Sequence, residues 1–271
     1  MKRKLFRALT APLLELCRRN KEACLDLYER LSPVHRVNSS EGAWQFFCPN
    51  ELTAWRVRTF FTKEPDTIRW MRSFNKEDIF YDVGANIGLY TLYAAKQGNR
   101  VFSFEPESQN YALLNKNIFL NAMQDSISAF NIALSNKVNF DFLYLREFTF
   151  GGALNNFAQN INLNYERFNP AFKQACVSFN LDELVLNQGL PFPTHIKIDV
   201  DGIEPRIIEG AKEVLQNRKL KSLLIELNTG LDDHMSVISV LKEFGFSVSN
   251  KVRSALDDPS CKLYNYIFER N

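Results

Sequence analysis

The apolar residues of this chain change their period near residue 78. Upstream, Leu5, Leu9, Leu13, Leu14 and Cys17 recur at helical spacing, and a second short helix is predicted from about Lys21 to Leu31. His35 to Ser40 is polar and reads as a loop. Trp44, Phe46, Phe47 and then Trp55 and Val57 have the character of short strands, and residues 63–73 form an amphipathic helical pattern with Ile68, Trp70 and Met71 on its apolar side.

Downstream, short apolar runs alternate with helical ones. Strands are predicted at 79–83, 101–104, 127–132 and 140–145. Between the first three lie a helix from Leu89 to Lys96 that stops at Gly98, and one capped by Ser108 that carries Tyr111, Leu114 and Ile118 on one face. Gly151-Gly152 and the Asn-rich stretch behind them read as an irregular insertion, about 146–175. Alternation resumes with a strand at 195–198, a helix carrying Ile207 to Leu215, a strand at 223–225 and a helix carrying Val237 to Phe244. The last two strands, near 246–249 and 263–268, are joined through Asp257, Asp258 and Pro259 with no helical period, which fits an antiparallel pair at a sheet edge.

Strand–helix alternation of this kind builds right-handed βαβ units on a parallel sheet. The expected fold is therefore α/β: a doubly wound, Rossmann-like, mostly parallel sheet with an antiparallel last strand over residues 76–271, preceded by a helical and β appendage over 1–75. The 271 residues suffice for a sizeable core, and 45% hydrophobic with 24% charged residues is ordinary for a globular protein. The five cysteines form no CxxC pair, so neither a disulfide framework nor a zinc site is indicated. No stretch approaches the ~20 apolar residues that cross a bilayer. The opening Met1-Lys-Arg-Lys-Leu-Phe-Arg7 is charged like a signal peptide, but Pro12 and Glu15 break the apolar stretch that follows, so a cytoplasmic protein is expected.

The most informative segment is Phe80-Tyr-Asp82-Val-Gly84-Ala-Asn86-Ile-Gly88. A glycine-containing turn between strand and helix lets a ligand approach the backbone and presents free N–H groups. A dinucleotide loop would read G-x-G-x-x-G. Here Asn86 stands at the middle glycine, and Asp82 just before the turn would repel a pyrophosphate while suiting an ammonium or sulfonium ligand such as S-adenosylmethionine. Glu105 ends the second strand, where a carboxylate can accept from both ribose hydroxyls of an adenosine.

A second constellation is Ile196-Lys197-Ile-Asp199-Val-Asp201-Gly202-Ile-Glu204-Pro205, followed one strand later by Glu226. Asp199, Asp201 and Glu226 are expected at the same carboxyl edge as the glycine turn. Such carboxylates can take the proton of an acceptor hydroxyl during methyl transfer, or hold a divalent cation such as Mg²⁺. Asp201-Gly202 is also ordinary turn chemistry, and Asp201 with Glu204 resembles a capping pair.

Together the two motifs resemble the FkbM family of methyltransferases. Asp82-Val-Gly-Ala-Asn-Ile-Gly88 is similar to its glycine loop, Phe104-Glu105-Pro106 to its ribose-binding strand end, and Lys197-Ile-Asp199-Val-Asp201-Gly202-Ile-Glu204 to its second signature. Asn131-Ile-Ala-Leu-Ser135 and Glu226 match more weakly, and the likeness runs from about Thr62 to about Gly245. The resemblance implies S-adenosylmethionine as methyl donor, bound by Asp82, Gly84, Asn86, Gly88, Glu105 and Asn131, with Asp199 facing the methyl. It implies an acceptor oxygen on a sugar, glycan, glycolipid or natural product. Asp201 stands where the family often carries the longer Glu.

Two rival readings are a non-catalytic cofactor-binding protein and a nicotinamide-dependent oxidoreductase, the latter opposed by Asn86 and Asp82. The basic N-terminus (Lys2, Arg3, Lys4, Arg7, Arg18, Arg19) has the composition for contact with an anionic membrane surface, although such helices more often cap their own domain or a second subunit. No nucleic-acid-binding motif is present. Of the three histidines, His35 falls in the predicted loop, His195 is expected to pack, and His234 is a candidate base at the pocket mouth.

Overall fold

A computed structural model of the chain describes residues 2–254 and 260–270, with side chains from Thr10 onward. Asp257, Asp258 and Pro259, and the side chains of Lys2, Arg3, Lys4 and Arg7, lie outside the described residues. Helices α1 (Lys2–Arg19) and α2 (Lys21–Arg30) meet at Asn20, whose side chain accepts from Ala23 N–H at 3.1 Å and caps α2. The two helices pack on each other, and α2 buries none of its residues.

Two expectations for the next segment are corrected. His35 to Ser40 is not a loop: β1 (Val34–Ser39) pairs antiparallel with β2 (Gly42–Phe47). The strand is half exposed, so its polar sequence carried no strand signal; the partner strand supplies its hydrogen bonds. Trp55 and Val57 are not in a strand but in α3 (Glu51–Arg58). Asn50 accepts from Thr53 N–H at 2.9 Å while Thr53 Oγ1 accepts from Asn50 N–H at 3.4 Å, a reciprocal cap that starts a helix. Helix α4 (Pro65–Met71) then buries Ile68, Trp70 and Met71 as expected, with Pro65 in its first turn.

β3 (Ile79–Val83), α5 (Leu89–Gln97), β4 (Arg100–Phe104), α6 (Ser108–Leu120) and β5 (Ile127–Phe130) make the first parallel half of the main sheet. The cap of α6 is Glu107 rather than Ser108, accepting from Gln109 and Asn110 N–H. A smaller sheet follows: β6 (Ala133–Leu134), β7 (Asn139–Leu145), β8 (Asn156–Phe157) and β9 (Phe172–Phe179), in the order β6-β9-β7-β8. The stretch expected to be irregular thus contains β8 and the start of β9, both paired to β7.

β10 (His195–Ile198), α7 (Glu204–Glu209), α8 (Lys212–Gln216), β11 (Ser222–Asn228), α9 (Asp232–Glu243), β12 (Phe246–Arg253) and β13 (Leu263–Arg270) complete the chain. The main sheet has the order β12-β13-β11-β10-β3-β4-β5, all parallel except β13, which pairs antiparallel with both β11 and β12. The sheet is the expected doubly wound one. The chain leaves β3 toward β4 on one side and returns to β10 on the other. The loops after β3 and β10 therefore diverge, and a crevice opens at their carboxyl ends.

Side-chain alternation splits the core between the two faces of the sheet. Tyr81, Phe102, Phe104, Ile196 and Ile225 face one layer, and Phe80, Val101 and Leu224 the other. Trp44, Phe46 and Phe60, all buried, lie in the second layer against α5 and α6. Each such aromatic contributes roughly 2–3 kcal/mol of burial. Phe47 N–H donates to Asn117 Oδ1 at 2.8 Å, which ties β2 to α6.

Candidate active site

The turn after β3 is fixed by its neighbours. Gly84 N–H donates to Phe104 O at 2.9 Å, and Asn86 N–H to Glu105 Oε2 at 2.7 Å. Gly84 has φ +84°, and a Cβ there would lie 1.9 Å from Asp199 O, so only glycine lets this turn pack against the end of β10. Gly88, at φ +89°, begins α5 where a Cβ would strike Leu114 and Leu92. Asn86 itself is left-handed, at φ +50°.

Of the expected cofactor residues, Asp82, Gly88 and Asn131 do not line the cavity described below. Asp82 falls on the α5 face of β3, paired in register with Lys197 of β10; its Oδ2 accepts from Thr91 Oγ1 at 2.6 Å. It is buried beneath the turn and does not line the cavity described below. Burial raises its carboxyl, against the opposing pull of Lys197 and Thr91. Asn131 Nδ2 donates to Glu105 O at 2.8 Å and Pro106 O at 3.0 Å, bracing the strand end that carries Glu105. Alternation and pairing, not the motif, decide where these strand-end side chains go.

Glu105 does line the cavity. Its two oxygens accept from Asn86 N–H and, at 2.9 Å, Glu107 N–H, yet burial pushes its carboxyl up to about 8. Each oxygen keeps a lone pair for a further donor.

The three carboxylates of the second constellation converge. Asp199, Asp201 and Glu226 each offer an oxygen within 4.8 Å of the others. Asp199 Oδ2 accepts from the buried Lys197 Nζ at 2.7 Å. Burial pushes the Asp199 carboxyl up, but Lys197 and then Lys63 outweigh it and hold the group below the usual range. Asp201, at φ +66°, accepts from Leu154 N–H at 2.7 Å. Burial and the Asp199 charge push it to about 6, and the same two causes push Glu226 well above its usual value. Three hard oxygen donors at this spacing fit a divalent cation equally well.

Glu204 and His234 stand apart from this group. Glu204 Oε1 accepts from Val200 N–H at 3.1 Å and Gly202 N–H at 3.2 Å, so it braces the Asp201 turn from inside. His234, a candidate base in sequence, is buried, accepts from Asn228 N–H at 3.3 Å and does not line the cavity that holds Asp199, Asp201 and Glu226.

A cavity of about 330 Å³ runs from Glu105 and Pro106 past Gly84 to Asp199, Asp201 and Glu226. Ile132, Leu134, Leu143 and Phe157 wall its apolar end. Three residues missed in sequence also line it: Trp55, Arg56 and Lys63. No local pattern marked them, because the packing of α3 and of the turn that follows it brings them there. Above the cavity a strap from Phe150 to Leu154 is sewn down on several sides. Gly152 O accepts from Asn86 Nδ2 at 2.8 Å and Asn110 Nδ2 at 3.0 Å, Gly151 O from Arg56 Nε at 2.8 Å, and Phe150 O from Asn50 Nδ2 at 2.9 Å.

Residues 82–248, more than half of the chain, match the Methyltransferase FkbM domain. The chain belongs to the FkbM methyltransferase family. Its chemistry is accordingly S-adenosylmethionine-dependent methyl transfer, and the nicotinamide oxidoreductase reading is set aside. A hexuronic acid methyltransferase of Haloferax volcanii is 24% identical over 180 residues, covering 66% of this chain and 67% of the relative. A solved FkbM methyltransferase of Methylobacillus flagellatus KT is 16% identical with a TM-score of 0.47, covering 72% of this chain; the chain spans 44% of that protein's length. A precorrin-6y C5,15-methyltransferase of Geobacter metallireducens is 14% identical with a TM-score of 0.43, covering 76% and 87%. Trp55, Arg56 and Lys63 lie outside the matched domain. No helix among the described residues is long and apolar enough to cross a membrane.

Proposed function

We propose that this FkbM methyltransferase transfers the methyl group of S-adenosylmethionine to a hydroxyl oxygen of a sugar or glycan. The observation that carries the reading is the meeting of Asp199, Asp201 and Glu226 within 4.8 Å at the wall of the cavity that runs past the glycine turn. Glu105 accepts from the ribose hydroxyls, and Ile132, Leu134 and Phe157 receive the adenine. Gly84 and Asn86 support the span between ribose and sulfur.

In the reaction the acceptor oxygen forms a bond to the methyl carbon as the carbon–sulfur bond breaks. The sulfonium becomes a neutral thioether, and the hydroxyl proton passes to the carboxylate group at Asp199, Asp201 and Glu226. Holding oxygen, methyl and sulfur in line supplies much of the rate. A divalent cation held by the same three residues would make the hydroxyl more acidic. The name of the Haloferax volcanii relative supports a sugar acceptor.

The test is transfer of isotope-labelled methyl to a panel of neutral hexose and hexuronic acid glycosides, with and without a chelator. Label recovered as an alkali-stable ether on one of them is the expected result. Label recovered only as an alkali-labile ester, or on no sugar, overturns the reading.

A further inference from the structure

Arg56 and Lys63 are the two cations of the larger cavity, and both also line a smaller cavity of about 60 Å³ on the other side of the glycine turn. That branch is walled by Phe60, Glu64, residues 84–87, Tyr90, Lys197 and Asp199, so it includes the amino end of α5. Arg56 spends only its Nε on the strap, and among the described residues its two terminal nitrogens make no hydrogen bond to protein. Lys63 Nζ lies 2.9 Å from Glu64 Oε1 and keeps two further donors. Asp201, Glu226 and Trp55 line the larger cavity but not this branch.

S-adenosylmethionine carries its charges at one end: a sulfonium, then an amino acid with an ammonium and a carboxylate. With the ribose at Glu105 and the methyl toward Asp199, the amino-acid tail has to pass Gly84. The branch beside Gly84 offers cations for the carboxylate and, in Glu64, an anion for the ammonium. We infer that Arg56 and Lys63 bind the α-carboxylate of S-adenosylmethionine. Residues outside the family's matched domain thus complete its cofactor site, and the acceptor is left the side lined by Trp55, Asp201 and Glu226. The inference rests on the cofactor lying as proposed above.

The test compares S-adenosylhomocysteine with 5′-methylthioadenosine, which shares the adenosine and sulfur but lacks the amino-acid tail. Binding of each to the full chain is measured by calorimetry in wild type, Arg56→Gln, Lys63→Gln and the double variant, with melting temperatures as the folding control. Loss of a charge-assisted hydrogen bond weakens binding by roughly tenfold or more. The expected result is that loss for S-adenosylhomocysteine in each single variant, a larger loss in the double, and unchanged binding of 5′-methylthioadenosine. Equal weakening of both ligands would mean that the two residues act only by holding the strap, and no weakening would mean that they face the acceptor; either overturns the inference. A wild-type chain that binds neither ligand removes the cofactor reading itself, which is a separate failure.

Discussion

At the amino edge of the main sheet, His195 lies between Ser222 and Asp78, with Nδ1 2.7 Å from Ser222 Oγ and Nε2 3.1 Å from Asp78 Oδ2. At the carboxyl edge, Asp199, Asp201 and Glu226 crowd together beside Lys197. The first group has the residue types of a nucleophilic triad. Its partners are already taken. Trp70 Nε1 donates to Ser222 Oγ at 2.8 Å, Lys221 Nζ and Asn75 N–H hold Asp78, and the ring of Phe74 stacks on the imidazole at 3.8 Å. None of these groups lines either of the two cavities beside the glycine turn. The carboxyl-edge group has three carboxylates within 4.8 Å of one another, two of them, Asp201 and Glu226, raised, and an open wall. Residue types and spacing are therefore not enough; what separates a reactive cluster from a structural one is an unmet need at a surface a ligand can reach.

Replacing Asp199 by Asn is expected to cut methyl transfer by about 10²–10⁴-fold, the range of a lost general base, with S-adenosylhomocysteine still bound. Single-turnover assays with the acceptor in excess measure it. Activity within threefold of wild type would remove Asp199 from the chemistry.

The amino-edge cluster should instead show itself in stability. Burial pulls the His195 imidazole down to about 4, outweighing the attraction of Asp78. Between about 6.5 and 4 the unfolded chain therefore takes up a proton that the folded chain refuses. Stability is lost as pH falls through that window, by roughly 3 kcal/mol at most, in addition to what other groups contribute. Urea midpoints at pH 7 and pH 5 for wild type and His195→Gln should show a steeper acid loss in wild type; parallel losses would refute the assignment.

Glu105 gives an intermediate effect, read in binding rather than stability and at higher pH. Burial holds its carboxyl near 8, and ribose hydroxyls donate best to the ionised form. Affinity for S-adenosylhomocysteine should rise by up to about tenfold per pH unit toward 8 and then level off. Glu105→Gln should bind roughly 10-fold to 100-fold more weakly with no such slope, as calorimetry across pH 6–9 will report. The smallest effect is expected from Ser222→Ala, which should leave methyl transfer within about twofold while lowering stability by roughly 1–3 kcal/mol, because Trp70 and His195 lose a buried partner. Loss of activity without loss of stability would make the two edges alike.

These contrasts follow how much of the molecule was legible in its sequence. Gly84, Gly88 and Glu105 were legible because each answers a local demand, a left-handed turn or a carboxylate at a strand end. The trio was legible because strands in a parallel sheet deliver their ends to one edge. Asp82 and Asn131 belong to the motif, yet their side chains were settled by pairing with β10 and by the turn at Pro106. Arg56 and Lys63 left no trace, since nothing between residues 51 and 63 says that α3 will pack over the glycine turn. The β1 strand was hidden for the same reason: its partner, not its own composition, makes it a strand.

The strap from Phe150 to Leu154 is anchored at once to Asn50, Arg56, Asn86, Asn110 and Asp201. It cannot be inherited as a separate part. A chain that acquired this strap alone, by recombination or by design, would receive carbonyls with no donors and a roof with no walls. The strap's anchors are therefore expected to change together or not at all.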